Sequence, residues 1–345
     1  MSVTIKEVAK QARVSTATVS RVFNNMALVD AETRRRVQAV AKELRYTPHA
    51  AGRILSTRRT DSIGLLLPDL YGEFFSEVIR GADQTARQHR YHLLVSSSHT
   101  SREALEEALQ VMRGRVDGLI IMSPHIDAHT LRANLPKSLP VVLLNCHVED
   151  ESFDSFNIDN FTGAYETVRH LMAHGHRQIA IIKGLEKNLD ARERLRGYRR
   201  ALQEGGNGCY IESYEINGDF SEASGYDAVK RILTLQPRPT AIFASNDSMA
   251  LGALSALRET GVEVPREMAL VGFDDIPVAR YLSPALTTVH VSISELGAVA
   301  IKKLFEALRE KNTHVKQHQV MPATVVIRES CGCPKAVQDK GLERR

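Results

Sequence analysis

The chain has 345 residues, 43% of them hydrophobic and 25% charged, with a net charge of +4. Two or three domains of a soluble globular protein are expected from that length and composition. No apolar run approaches the ~20 residues that a membrane helix needs, the opening MSVTIKE carries no apolar signal core, and a cytoplasmic protein with no membrane contact is expected.

The first elements are helical. Ile5, Val8, Ala9 and Ala12 recur at i, i+3, i+4 and i+7, one face of a helix, and Thr4 with Glu7 makes a capping box at its start. Arg13-Val14-Ser15 breaks the period, and Ser15 can cap a second helix. There Val19, Val22 and Phe23 share a face, leaving Thr16, Ala17, Ser20, Arg21 and Asn24 outward. A third helix follows Asp30, with Val37, Val40, Ala41 and Leu44 in register. Three short helices in this order predict a helix-turn-helix unit, whose second helix enters the major groove of DNA.

Charge agrees with that reading. Residues 1–60 hold twelve Lys or Arg against four acids, so the head carries +8 and the remainder −4. A basic head on an acidic body is the footprint of a nucleic-acid reader. The run Arg34-Arg35-Arg36 fits phosphate contact and a solvated helix face equally well. After Pro48, Ala50–Ser56 predicts a helix of about two turns, too short to be stable alone and weakened by Gly52.

From Ser62 strands and helices alternate. Strands are predicted at Ile63–Leu67, Leu93–Val95, Leu119–Met122, Val141–Leu144, Ile179–Ile182, Ala241–Ala244 and Leu270–Phe273. Helices are predicted at Glu77–Gln88, Arg102–Met112, Ala164–Ala173, Glu193–Gln203, Ala223–Leu233 and Met249–Thr260. Such βα alternation implies parallel sheets covered by helices. About nine strands, with a pause at the polar His147–Asp154, suggest two doubly wound lobes, which bind ligands beyond the carboxyl ends of their strands.

Seven motifs then occur in a telling order: TIKEVAKQARVSTATVSRVFNN, YTPHAAGRIL, HGHRQIAII, RLRGYRRAL, SNDSMALGAL, VGFDD and PALTTV. Over residues 3 to about 330 the chain resembles the lactose-repressor/galactose-repressor (LacI/GalR) family, most of all its branch of purine and cytidine repressors. The resemblance implies an all-α helix-turn-helix head with a hinge helix, then an α/β body of two doubly wound lobes like a periplasmic binding protein. It places the DNA-binding domain at 1–47, the hinge and linker at 48–60 and the effector-binding and dimerisation domain at 61–330. Lobe 1 is expected at about 61–160 plus 291–320, lobe 2 at about 161–290 plus 321–330, and a disordered tail at 331–345. A homodimer is implied, reading a palindromic operator as a repressor switched by a small effector. An activator is the alternative. The tail has a single Leu, Leu342, so the leucine heptad of the family's tetramers is missing.

The resemblance also assigns residues. Thr16, Ala17 and Arg21 match base-reading positions. Arg21 can pair with guanine O6 and N7, while Ala17 or the Thr16 methyl can meet a thymine methyl. Ser15, Thr18 and Asn24 fit phosphate contacts or caps. Arg53 joins the DNA contacts, and Leu55 matches a leucine inserted between base steps of the minor groove. His49 and Gly52 depart from the family's usual Asn and Ala, which predicts a hinge less stable before DNA binds. For the effector the matches are Arg194, Phe220, Asn246 and Asp274, with Phe74 and Phe75 in a loop of the first lobe and Asn145 after Val141–Leu144. Each also has a plainer reading: Phe75 as core, Asp274 as a helix cap, Asn246 as a turn residue, Arg194 paired with Glu193 or Asp190. Polar groups with aromatic plates suit a sugar or a nucleoside. Lys187, Leu189 and Cys146 depart from the purine-repressor pattern, so a sugar or sugar derivative is expected first and a nucleoside or purine second.

No enzyme motif (GxSxG, HExxH, P-loop or GxGxxG) is present, and no cofactor is expected. The HIDAH and HGH histidines and the CGC of Cys331 and Cys333 lack a third ligand at useful spacing. They read as surface histidines and, with Cys146 and Cys209, as free reduced thiols.

Overall fold

The structure, a computed structural model, describes residues 3–24, 29–46, 59–99, 101–124, 126–146, 148, 152–206, 209–310 and 313–333. Arg53, Leu55, His49 and the expected hinge helix lie outside them. The described chain divides into two compact units, one holding the head and the other nearly all of the rest.

The head is three helices, α1 (Ile5–Ala12), α2 (Thr16–Asn24) and α3 (Ala31–Glu43). Glu7 accepts from the Thr4 N–H at 2.7 Å and from its hydroxyl at 3.0 Å. Arg13 ends α1 in the left-handed region at φ 53°. Ser15 Oγ accepts from the Thr18 N–H at 3.0 Å, and Asp30 Oδ1 from the Thr33 N–H at 2.8 Å, satisfying donors that open a helix. The predicted stripes meet: Val8, Ala9, Ala12, Val19, Val22, Val37 and Ala41 are buried, with Phe23, Val40 and Leu44 packed against them. Arg36 Nε donates to the Ala12 carbonyl at 3.1 Å and Arg34 Nη2 to the Val29 carbonyl at 3.0 Å. Two of the three consecutive arginines therefore brace the head, and the exposed Arg35 is left outward.

The body carries two parallel sheets. Lobe 1 is built on β1 (Ser62–Leu67), β2 (His92–Ser97), β3 (Gly118–Ile121), β4 (Val141–Leu144), β5 (Asp154–Ile158) and β11 (His318–Met321), in the order β11-β5-β4-β3-β1-β2. Around it lie α4 (Glu73–Gln88), α5 (Arg102–Met112), α6 (Ala128–Asn134) and α11 (Ile293–Arg309). Lobe 2 holds β6 (Ile179–Lys183), β7 (Glu215–Asn217), β8 (Ala241–Ala244) and β9 (Ala269–Val271) in the order β7-β6-β8-β9. Its helices are α7 (Asn160–Ala173), α8 (Leu189–Glu204), α9 (Glu222–Ile232) and α10 (Asp247–Glu259). An antiparallel pair, β10 (Thr288–His290) with β12 (Thr324–Val326), completes the set. The central strands β1, β3, β4 and β8 are buried along nearly all of their length, the pattern of strands covered on two faces. Helix contact in lobe 2 is close: a Cβ at Gly252 would stand 1.8 Å from the Glu222 carbonyl oxygen, so only glycine lets α9 and α10 approach.

Several expectations change. Twelve strands are described rather than about nine. The polar pause is followed by β5, whose partner β4 places it in the first sheet, so the pause lies inside lobe 1 rather than between the lobes. Helix α4 begins at Glu73, not Glu77, which puts Phe74 and Phe75 in a helix's first turn rather than a loop. The tail does not begin at 331: Cys331 and Cys333 are buried, and Ser330 Oγ donates to the Leu270 carbonyl at 2.6 Å.

Candidate functional site

In the head, the surface left by the core is the outer face of α2. Thr16, Ala17 and Arg21 are exposed there, Ser15 is exposed just before it, and Thr18 is half-buried. Ser15 and Thr18 are joined through their side-chain oxygens at 2.9 Å, so both also fix the helix start. Asn24 closes α2. A short helix with two small residues and one free-standing guanidinium on its outer face can enter a major groove without steric conflict.

In the body, a cleft of about 380 Å³ opens among the carboxyl ends of the strands, within the range of small-molecule sites. Phe74, Phe75, Asn145, Arg194, Phe220, Asn246 and Asp274 all line it. They come from six separate segments spread over two hundred residues of sequence. Phe74 and Phe75 meet edge to face at 5.5 Å between centroids. Phe220 packs over Gly184, where a Cβ would stand 2.1 Å from its ring.

The polar floor is an ion pair. Arg194 is 4% exposed; its Nη2 lies 3.3 Å from Asp274 Oδ1. Its Nε donates to Asn160 Oδ1 at 2.8 Å and its Nη1 to the Ser245 carbonyl at 2.5 Å. The guanidinium rests 3.7 Å from the Phe273 ring centroid. Asp274 Oδ1 makes no hydrogen bond, although Asp274 is only 5% exposed. Burial raises the Asp274 carboxyl to about 6; Arg194 opposes that rise and Asp190 adds to it. Behind it Asp247, wholly buried, accepts from Thr288 Oγ1 at 2.5 Å and the Ile276 N–H at 2.9 Å. A buried carboxylate oxygen with a lone pair to spare is an acceptor held ready for a donor.

Backbone strain gathers at the same place. Asn145, Phe220 and Asp274 have φ of 46°, 75° and 111°, a region that non-glycine residues rarely occupy and that marks functional sites. The Asp274 N–H donates to the Val289 carbonyl at 2.9 Å, which ties the carboxylate's position to β10.

The plainer readings fare unequally. Arg194 pairs with Asp274, and Asp274 caps no described helix. Phe75 is half-buried at the cleft wall. Asn246 does cap a helix: its Oδ1 accepts from the Met249 N–H at 2.9 Å, and its Nδ2 donates to the Phe220 carbonyl at 3.0 Å. Asn145 Oδ1 likewise accepts from the Ile158 N–H at 3.0 Å. Both asparagines hold the cleft's backbone, with amide hydrogens to spare. Lys187 and Leu189 line the cleft, whereas Cys146 is buried outside its lining, its thiol pushed up to about 12 by burial. Asn160, which orients Arg194 and also donates to Asp190 at 2.8 Å, was missed; it sits 34 residues before Arg194 with no local signal. Arg192 and Tyr71, also lining residues, were missed too, although Arg192 adjoins Arg194 on the same helix.

Comparison with known proteins joins head and body. Residues 4–49 match the family model described as bacterial regulatory proteins, lacI family, and residues 168–331 match a periplasmic binding protein-like domain. The HTH-type transcriptional repressor PurR of Klebsiella pneumoniae (strain 342) is 38% identical over 326 residues, 93% of this chain and 95% of that one. The chain belongs to the lacI family of bacterial regulatory proteins. Among solved structures, the Lac repressor dimer bound to operator and the anti-inducer ONPF superposes with a TM-score of 0.84 at 31% identity, covering 96% of this chain and 99% of that one. The transcriptional regulator CelR–cellobiose complex does so with a TM-score of 0.71 at 30% identity, over 95% and 99%. As a family member the chain is a DNA-binding transcriptional regulator with a helix-turn-helix head and a periplasmic-binding-like body. No described helix is long and apolar enough to cross a membrane.

Proposed function

We propose that the protein is a repressor that binds a palindromic operator as a homodimer and is switched by a small ring ligand bearing vicinal hydroxyls, a sugar or sugar derivative. The observation that carries this reading is the Asp274–Arg194 floor between aromatic walls. A buried carboxylate that is ion-paired to Arg194 but makes no hydrogen bond through Oδ1 can accept from hydroxyl groups, and Phe74, Phe75 and Phe220 supply apolar faces for a ring. The cellobiose bound by CelR supports it. Arg21, Ala17 and Thr16 read base edges, Ser15, Thr18 and Asn24 the backbone, and Arg53 and Leu55 act from the hinge. Exposed Leu94 and Val95 on β2, at the edge of its sheet, and exposed Val111 on α5 supply apolar surface for a second copy.

Effector action must be differential: the ligand favours one arrangement of the lobes, and that arrangement changes how two heads meet DNA. Asp274 suits such a role, because its backbone bonds to β10 at the return toward lobe 1.

A second reading is favoured by a specific observation. The similarity to PurR repressors, at 38% identity over nearly the whole chain, supports a nucleoside or purine at least as well as a sugar, despite the departures at Lys187, Leu189 and Cys146. A thermal-shift screen of the purified chain against sugars, sugar acids, nucleosides and purine bases separates them, since a ligand of the folded state raises the melting temperature by mass action. Hits among sugars support the first reading. Hits confined to purines or nucleosides replace it with the second.

A further inference from the structure

The structure assigns a second ligand site, built from residues that do not line the effector cleft: we propose that His170, Cys331 and Cys333 bind a borderline-soft divalent metal ion of the zinc class. His170 lies in the last turn of α7, and the cysteines follow β12. The three ligand atoms all lie within 4.8 Å of one another, with Cys333 Sγ 3.1 Å from His170 Nε2. A tetrahedral zinc with Zn–S of about 2.3 Å and Zn–N of about 2.0 Å holds two sulfurs about 3.8 Å apart and sulfur and nitrogen about 3.5 Å apart. Small side-chain movements therefore close the three groups on one ion. Two thiolates and an imidazole are the donor set that favours zinc over magnesium or calcium.

Packing alone does not explain the arrangement. The turn that carries the thiols is fixed without them. Ser330 Oγ donates to the Leu270 carbonyl at 2.6 Å and accepts from the Thr287 N–H at 2.8 Å. The Leu270 N–H donates to the Ser330 carbonyl at 2.8 Å, and the Gly332 N–H to the Glu329 carbonyl at 3.1 Å. Gly332 takes the left-handed region at φ 72°, which lets the residues on either side of it turn their sulfurs to one histidine. Toward the backbone the thiols' bonds are long, 3.8 Å from Cys331 Sγ to the Arg328 carbonyl and 3.7 Å from Cys333 Sγ to the Cys331 carbonyl, and the short contact is the one to His170. Both cysteines are buried, while His170 is half-buried and offers the ion a way in. His174, exposed one turn on with its ring 4.6 Å from that of His170, is one source of a fourth ligand among the described residues, and water is another.

Binding exchanges protons for metal: each thiol releases its proton to solvent and its sulfur bonds the ion, with no oxidant or reductant. The ion would join α7 to the chain after β12, stapling the end of lobe 2.

The test uses the full, tag-free, reduced chain, stripped with a chelator and titrated with Co(II), then Zn(II). One equivalent of cobalt giving a thiolate-to-cobalt charge-transfer band, displaced by zinc, is expected. The pair Cys331→Ser with Cys333→Ser should abolish the band, His170→Gln should weaken zinc at least tenfold, and Cys146→Ser and Cys209→Ser should change neither. Because the double variant can misfold, wild-type protein is also alkylated with and without zinc. Protection of Cys331 and Cys333 alone, seen by mass spectrometry, supports the site without any substitution. Cobalt uptake without a thiolate band, affinity unchanged in His170→Gln, or equal alkylation of both thiols with and without zinc overturns it.

Discussion

Asp274→Asn keeps the size and one acceptor of the side chain but removes its charge. Asp274 is 5% exposed and pairs with Arg194 at 3.3 Å. A hydrogen bond to a charged group contributes about 1.5–3 kcal/mol. Two ligand hydroxyls meeting the carboxylate, with one contact kept by the amide, should lose about 1.5–3 kcal/mol, about 12- to 150-fold in affinity. Titration calorimetry reads that loss, and operator binding without ligand should stay as in the wild type. The pH profile adds a second reading. Because burial holds Asp274 at about 6, wild-type affinity should fall about tenfold per pH unit below that value, and Asp274→Asn should lose the dependence. Stability carries the opposite sign. The carboxyl's folded pKa lies above its ordinary 3.8, so between the two values the folded chain holds more protons than the unfolded one. Wild-type stability then falls, relative to Asp274→Asn, by about 3 kcal/mol as pH climbs from about 4 to about 6. A variant that responds to ligand at the wild-type concentration, with the wild-type pH profile, refutes the reasoning.

Arg21→Ala should cost about 1–3 kcal/mol of discrimination between operator and random DNA, while salt-sensitive binding to either persists; anisotropy with both duplexes checks this, and retained preference removes Arg21 from base reading. Asn246→Ala loses a helix cap worth about 1 kcal/mol and the tie to Phe220, so a modest fall in melting temperature should accompany a larger loss of ligand affinity; a loss of stability alone would make the residue only a cap. Gly252→Ala places a methyl against the Glu222 carbonyl and should destabilise by about 1–3 kcal/mol, which denaturant unfolding measures. Sedimentation should give a dimer, and a tetramer would contradict the proposed homodimer.

How much was legible follows the range of the signal. The head was readable because its three stripes and three caps are local: Thr4, Ser15 and Asp30 each act within three residues. The central strands were readable as continuous apolar runs. Helix α11 was not assigned as an element, although the resemblance already placed 291–320 in lobe 1. Strands β10 and β12 are three residues each, too short to carry a period, and exist through pairing with each other. At the cleft, the side chains were findable by motif, but the division of labour was not. That Asn246 and Asn145 spend their oxygens on backbone, and that Asn160 orients Arg194, depends on contacts between distant segments. The same holds for His170, more than 160 residues from the thiols it meets.

The central claim is that a ligand in the Asp274–Arg194 cleft changes how the head holds DNA. Fluorescence anisotropy of a labelled operator, titrated with protein in the presence and absence of the best ligand from the thermal-shift screen, tests it most directly. The account predicts a change in operator affinity of about 5- to 150-fold, absent in Asp274→Asn at the same ligand concentration. An operator affinity that stays constant while the ligand saturates the cleft would contradict it.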